Sequence, residues 1–285
     1  MPFSAKILVD SISPGGVRLT TMEVRYPRFI HSEMMTHRVF SRNAASSRAI
    51  PIKRMIAAVR DEPALPIAWG KNQSGMSARM QIDDAARDAA QAEWMRALAS
   101  ALASAERLSE ADIDLHKQLV NRILEPFAWI TVIVTATEWS NFFTQRAHPD
   151  AQPEIHHLAT LMLDAYRASS PSDVPLGDWH LPLIQPDERG LDAATLCKLS
   201  VARSARVSYL THDGTRDRDK DLALYERLIE GGANGHWSPT EHVATPLAEL
   251  HEFSGNLRGW KQFRKFFPQE NVTSFPDEVP ASISH

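Results

Sequence analysis

Residues 5–9 and 17–26 alternate between apolar and polar positions, which predicts two strands split by the turn cluster Ser13-Pro14-Gly15-Gly16. Pro27 closes the second strand, and residues 28–36 follow a helical pattern that delivers His37 and Arg38 near a helix end. Residues 62–78, rich in Pro, Gly, Asn and Ser, form a loop. An alanine-rich run over 79–107 carries Trp94, Met95, Leu98 and Leu102 at helical spacing. Ser109 is placed to cap a next helix over 110–124, with Ile113, Val120 and Leu124 inward and Pro126 as its stop. Residues 128–134 are β-branched and apolar on both faces, so periodicity leaves a buried strand and a buried helix open. Trp139, Phe142, Phe143 and Arg146 share one helical face, which sets a guanidinium at the end of an aromatic stripe. Asp150 and Pro153 open a helix with Ile155, Leu158 and Met162 inward. Residues 169–191, with several Pro and Gly, read as an internal linker. Helices over 192–207 and 218–230 follow, the second closed by Gly231-Gly232.

Composition narrows the class. The chain has 285 residues, 43% hydrophobic and 23% charged, which is ordinary for a globular protein with one large domain or two small ones. A net charge of −4 argues against wholesale nucleic-acid or membrane binding, so any basic site is local. The one cysteine, Cys197, excludes an internal disulfide and fits a reducing cytoplasm. The first residues lack a signal-peptide layout, and no apolar run approaches a membrane span. No solenoid repeat and no Gly-x-Gly-x-x-Gly fingerprint occurs. The histidines His156-His157, His31/His37 and His236/His242 make no metal-ligand set, so no metal is expected.

The densest chemistry lies between Thr36 and Arg48. Thr36-His37-Arg38 and Ser46-Ser47-Arg48 crowd guanidinium and hydroxyl groups into a segment with little to bury. Guanidinium groups hold phosphate by paired N–H donors, and hydroxyls complete such a cradle. A solvated basic loop is the plain alternative.

This segment resembles the Arg-His-Arg, seven-residue gap, Ser signature of flavin-dependent thymidylate synthases, with Ser46 in register and Arg48 two places on. A second block, Thr135 through Arg146 followed by Ala147 to Ile155, is similar to the family's Asn-x-Arg-Ser-x-x-Asn-Phe-x-x-x-Arg segment and its Ala-x-x-x-Ala-Gln-x-Glu-Ile sequel. A third, Gly235-His236-Trp237-Ser238-Pro239-Thr240-Glu241-His242, resembles Gly-His-x-Thr-Pro-x-Glu-His, and Ala205-Arg206-Val207-Ser208-Tyr209 resembles Ala-Arg-Val-Ser-Tyr. In the family the last two blocks precede the Arg-His-Arg motif; here they follow it. A circular permutation explains the order, as does a fusion in which the last 45 residues replaced the usual element. Under permutation the segment after His242 lies beside the strand entering Thr36.

The resemblance implies an α/β (α+β) fold: a small, mainly antiparallel sheet packed with several helices. It forms a single catalytic domain, with residues 1–168 carrying the His-Arg motif, 169–191 the linker and 192–285 the relocated N-terminal segment of the family. The family places a helix at 128–134. The resemblance also implies dUMP to dTMP methylation, with FAD as cofactor, NADPH and methylenetetrahydrofolate as co-substrates, and a homotetramer with active sites between subunits. Carried over by position, Thr36, His37, Arg38, Asn141, His236 and Ser238 hold the flavin. Thr135 and Thr137 stand where the family has Asn and Arg. Ser46, Ser47 and Arg48 meet the nucleotide, and Arg146 meets the pyrimidine and favours ionisation at N3. Arg122 matches a phosphate arginine from a neighbouring subunit, with a helix-surface charge as its alternative. A capping role is the alternative for His236. Cys197 sits in an apolar helical stretch and reads as core, so the thiolate chemistry of the other thymidylate synthase class is not expected.

The departures are Glu33 for the family's Gln, Thr36 for its first Arg, Ala44 for a Glu and Ala49 for a Tyr. Gln262 and Arg264 in Trp260-Lys261-Gln262-Phe263-Arg264 offer Gln and Arg at nearly the lost spacing and are assigned to substrate with Glu33; a basic amphipathic helix is the alternative. Glu33 and Ala49 keep open a hydroxymethylated product, or UMP or dCMP as substrate. A non-catalytic nucleotide-binding homologue is the rival from another class.

Overall fold

The computed structural model describes residues 3–207, 217–232 and 235–271. Ser208 and Tyr209 of the Ala-Arg-Val-Ser-Tyr block lie outside the described residues. β1 (Ser4–Ile12) and β2 (Arg18–Pro27) form an antiparallel pair joined by the predicted turn. β2 pairs antiparallel with β4 (Trp129–Ala136), which pairs with β3 (Ser41–Ala44). β5 (Ser172–Asp173) runs parallel to β1 on the far edge, so the sheet order is β3-β4-β2-β1-β5. The fold is therefore the expected mixed class with a small, mainly antiparallel sheet.

Residues 129–136 are a strand, which corrects the helix that the resemblance places at 128–134. The physical reason is visible in the packing. Ile130, Val132 and Val134 face α5 (Ser140–Arg146) and α6 (Pro153–Ala168), while Ile133 and Thr135 are equally buried on the opposite face. A central strand covered on both sides shows no alternation, and β-branched side chains fit its pleat. Ser109 is corrected too. It ends α3 (Asp84–Leu108) as the C-cap, its hydroxyl donating to Glu106 O at 2.8 Å. α4 begins only at Lys117 (Lys117–Leu124), capped by His116.

Apolar burial organises four clusters. The largest joins the sheet to α5 and α6 through Met22, Tyr26, Phe142, Ile155 and Leu158. Fully burying one such side chain contributes about 1.5–3 kcal/mol. A second packs α2 (Ile52–Asp61), α3 and α4 around Ile56, Leu98, Val120 and Leu124. A third joins α7 (Ala193–Arg206) and α8 (Arg218–Ile229) around Val201, Tyr225 and Leu228 and includes Cys197, whose thiol burial pushes up to about 12. The fourth covers the opposite sheet face, where Leu19 meets Ala244, Leu257 and Trp260, whose indole donates to Val17 O at 3.0 Å. Ala244, Leu257 and Trp260, all beyond His242, thus lie against β2, the strand that leads toward Thr36. They carry two small ribbons: β6 (Ala244–Pro246) with β9 (Trp260–Gln262), and β7 (Phe253–Ser254) with β8 (Leu257–Arg258). Among the described residues no helix is long and apolar enough to cross a membrane, and no cluster of metal-ligating side chains occurs.

Segment 169–191 packs closely on the body. Ser169 Oγ donates to Asp10 at 2.6 Å, and Asp10 also accepts from Arg18 and from Thr20. Glu188 is buried against Arg203, whose guanidinium bonds hold its carboxyl down at about 2, and Asp221 joins the same guanidinium at 2.9 Å.

Beneath the sheet runs a buried chain of polar side chains. Ser11 Oγ meets His180 Nδ1 at 2.8 Å, and His180 Nε2 meets Thr21 Oγ1 at 2.8 Å. Thr21 meets its cross-strand partner Thr135 at 2.7 Å, and Thr135 meets His242 Nδ1 at 2.8 Å. Burial lowers both imidazoles to about 3, so the chain is neutral at physiological pH. Two expectations follow from it. Thr135→Val leaves buried partners unsatisfied and costs about 1–3 kcal/mol in denaturant unfolding. Histidines depressed in the folded state stabilise fully above the unfolded value of 6.5, and that stability is lost as pH falls toward 3. Melting temperature should decline across that window, less steeply in His180→Gln than in the parent when each is normalised to its own value at pH 7.

Candidate functional site

The Ser46–Ile50 turn is held from below by α4. Asn121, fully buried, donates through Nδ2 to Ser47 O at 2.7 Å and Ile50 O at 2.9 Å, and Lys117 Nζ reaches Ala49 O at 3.3 Å. From the other side, Asn43 at the edge strand donates to Ser204 O at 2.6 Å and accepts from Ser238 Oγ at 3.3 Å. These bonds fasten the C-terminal half over β3. Between them opens a cavity of about 410 Å³ lined by Asn43, Ser46, Arg48, His116, His236 and Ser238. Among the described residues, its lining contains no carboxylate and Arg48 has no protein partner. Hydroxyls, imidazoles and a guanidinium are the donor types that suit an anionic group.

Ser47 faces away from this cavity. Its hydroxyl donates to Glu125 Oε1 at 2.5 Å, which also accepts from Arg122 Nη1 at 2.9 Å and lies 3.0 Å from Arg28 Nη2. Arg122 and Arg28 border a separate, shallow cavity of about 400 Å³ with His31, lowered to about 4 by burial and by Arg28 and Arg42. One hydroxyl-rich turn therefore presents Ser46 and Arg48 to the first cavity and buries Ser47 against Glu125.

Thr36 and His37 meet Arg146. Arg146 Nε donates to His37 Nε2 at 2.9 Å, and its Nη2 donates to Thr36 Oγ1 at 3.1 Å. His37 packs edge-on against Phe142 with centroids 4.9 Å apart, a contact set up by the aromatic face of α5. Burial, then Arg146, then Arg42 push its imidazole down to about 4, so it stays neutral and accepts. Thr36 also donates to Glu33 O at 2.7 Å at the end of α1 (His31–Met35), where Arg42 Nη1 satisfies Met34 O and His37 O. An arginine at 36 would set two guanidinium groups against each other; a threonine hydroxyl accepts instead. Arg146 keeps Nη1 for a ligand.

The remaining sequence candidates disperse. Arg38 and Asn141 are exposed, with Asn141 accepting from Gln145 at 3.1 Å. Glu33 accepts from Ser32 at 2.8 Å. Gln262 is buried, donating to Ser41 Oγ and Asn256 Oδ1; Gly255, at φ +63, gives it room, since a Cβ there would lie 2.3 Å from Gln262 Oε1. Arg264 is ion-paired with Glu241 and Glu270, both at 2.6 Å. Gln262 and Arg264 therefore brace the C-terminal segment and do not reach the cavity. Thr135 is consumed in the polar chain, and Thr137 Oγ1 accepts from Arg258 N at 3.1 Å. Asn43 and His116 were not among the candidates. Asn43 stood inside the motif run without an assigned role, and His116 carried no motif at all.

A turn of serines and arginine thus sits at the edge of a small antiparallel sheet, beside a histidine–arginine pair. Residues 15–172, more than half of the chain, match the family described as thymidylate synthase complementing protein, and the chain belongs to that family. The match ends before the Ala-Arg-Val and Gly-His blocks. Among solved structures, the chain is similar to the UMP/dUMP methylase PolB from Streptomyces cacaoi bound with 5-Br dUMP, at 20% identity and TM-score 0.43 over 52% of this chain and 66% of that one. The 5-Br UMP complex of the same methylase gives 16% identity and TM-score 0.48 over 57% and 88%. Thymidylate Synthase X (ThyX) from Helicobacter pylori, with FAD and dUMP, gives 15% identity and TM-score 0.35 over 52% and 67%. Comparison with curated proteins gives no match.

The His37–Arg146 pair makes a spectroscopic prediction. Nitrogen NMR should show His37 with its proton on Nδ1 and titrating at about 4. Arg146→Ala should raise that value only part of the way toward 6.5, because burial and Arg42 still depress it.

Proposed function

We propose that the chain is a flavin-dependent enzyme that methylates C5 of a uracil deoxynucleotide, converting dUMP to dTMP, and that the cavity under the Ser46–Arg48 turn receives the nucleotide phosphate. The observation that carries this reading is the cavity's donor set: Ser46, Arg48, His236 and Ser238 converge with no carboxylate among the described lining residues. Those four come from two motif blocks far apart in the chain.

The same donor chemistry fits a flavin's phosphates. Arg38 and Asn141 are exposed, and His236 and Ser238 line the cavity; these residues would hold FAD. The reading includes an assembly whose subunits share the site, as in the family's tetramer. When bound, the flavin supplies the reducing equivalents, renewed by NADPH, while methylenetetrahydrofolate supplies the one-carbon unit. The protein's part is orientation and polarisation. Arg146, steadied by Thr36 and the neutral His37, directs its remaining N–H donors at the pyrimidine amide. A guanidinium there stabilises the N3 anion, and the added charge enriches C5 for bond formation. Residues 192–285 take the place that the family gives its N-terminal segment.

Ala49, where the family has tyrosine, lines the cavity and leaves room beside the nucleotide. That observation favours, as a second reading, a hydroxymethylated product or UMP or dCMP as substrate.

Incubation with FAD, NADPH, methylenetetrahydrofolate and each nucleotide, followed by mass analysis, should show a methyl gain on dUMP. A hydroxymethyl gain selects the second reading. A purified protein that neither takes up FAD nor alters any nucleotide defeats the enzyme assignment. Arg146→Ala should lower kcat about a hundredfold with FAD uptake intact.

A further inference from the structure

His116 lies in none of the motif blocks, yet it lines the same cavity as Ser46, Arg48, His236 and Ser238. Its placement is fixed by the local fold. The α3–α4 connection turns through Asp114, whose φ of 45 is rare outside glycine. Asp114 N donates to Glu110 O at 2.7 Å, Leu115 N donates to Leu108 O at 3.0 Å, and Arg107 pairs with Asp112 at 2.8 Å. His116 then caps α4, with Nδ1 accepting from Gln118 N at 3.3 Å. The helix it caps is tied to the Ser46–Ile50 turn by Asn121 and Lys117. His116 and Arg48 are therefore carried by two elements bolted together, each contributing to one cavity wall.

Because Nδ1 is engaged as an acceptor, the neutral ring carries its proton on Nε2. The protonated ring donates from Nε2 as well. In either state Nε2–H remains a donor, and the described residues that line the cavity with His116 offer it no carboxylate.

We infer that His116 is a phosphate-binding residue, donating from Nε2 to the phosphate monoester of the nucleotide held by Ser46 and Arg48. The assignment rests on the reading of this cavity as the nucleotide site. It extends the phosphate cradle to a third chain segment and makes the enzyme discriminate a nucleotide from its nucleoside more strongly than the serine-arginine turn does alone.

Calorimetric titration of the full-length protein with dUMP and with deoxyuridine tests it, using the parent, His116→Asn and His116→Gln. Asparagine is itself a favoured N-cap and keeps an acceptor for the Gln118 amide while removing the Nε2 donor. Equal melting temperatures of His116→Asn and parent confirm that α4 stays seated. The expected result is about a tenfold loss of dUMP affinity in His116→Asn, the scale of one hydrogen bond to a charged group, a smaller loss in His116→Gln, whose amide keeps an N–H donor near the Nε2 position, and unchanged deoxyuridine affinity in both. Unchanged dUMP affinity in His116→Asn, with the parent still preferring dUMP to deoxyuridine, overturns the role of His116 and leaves the cavity assignment standing. Equal weakening of dUMP and deoxyuridine reduces His116 to a structural cap and also overturns it. A parent that binds dUMP no better than deoxyuridine overturns the cavity assignment itself.

Discussion

The buried chain from Ser11 through His180, Thr21 and Thr135 to His242 is the constraint on which the placement of the site depends. It spans three strands and reaches two segments of the C-terminal half. Apolar contact alone, as between Leu19 and Trp260, attracts without fixing register. A polar chain in low dielectric does fix it, because a slip of one residue strands a hydroxyl or imidazole without a partner. His242 is four residues beyond Ser238 and six beyond His236, so seating His242 on Thr135 sets both of them over the edge strand. The Asn43 carboxamide, shared between Ser204 and Ser238, then locks the second edge of the cavity.

Electrostatics divides the labour among the arginines. Arg264 and Arg203 are consumed by carboxylates, and Arg122 and Arg28 share Glu125. Of these only the pairs of Arg203 with Glu188 and Asp221 are buried, where the cost of desolvation offsets much of the attraction. Arg146 is the intermediate case, held by two neutral acceptors that orient its fork without neutralising it. Arg48 stands unpaired among the described residues at the cavity mouth. A guanidinium oriented by His37 and Thr36 retains its full charge for a ligand, whereas one oriented by aspartate would not.

Much of this was legible before any coordinates. The β1–β2 hairpin shows a period of two with a Pro-Gly-Gly turn, and α3, α7 and α8 show helical spacing with recognisable ends. β4 was not legible, since a strand buried on both faces loses its alternation. The start of α4 was missed because Ser109 looks like a cap and serves as one, at the other end of the preceding helix. The serine-arginine turn and the Gly-His block were visible as motifs, and their convergence around one cavity is a tertiary fact. Gln262 and Arg264 have the right chemistry for a phosphate site, but chain spacing could not show that Ser41, Asn256, Glu241 and Glu270 already engage them. His116 has no sequence neighbour that marks it, and only the docking of α4 under the turn brings it to the cavity.

The contact between the C-terminal half and the sheet specifies itself through matched hydroxyls, imidazoles and amides, with Arg258 on Glu138 and Trp260 on Val17 as further pegs. Such a seam is indifferent to where the backbone happens to be cut or joined. What holds the two halves in register is the set of side-chain pegs, and the order in which the chain visits them contributes nothing to that fit.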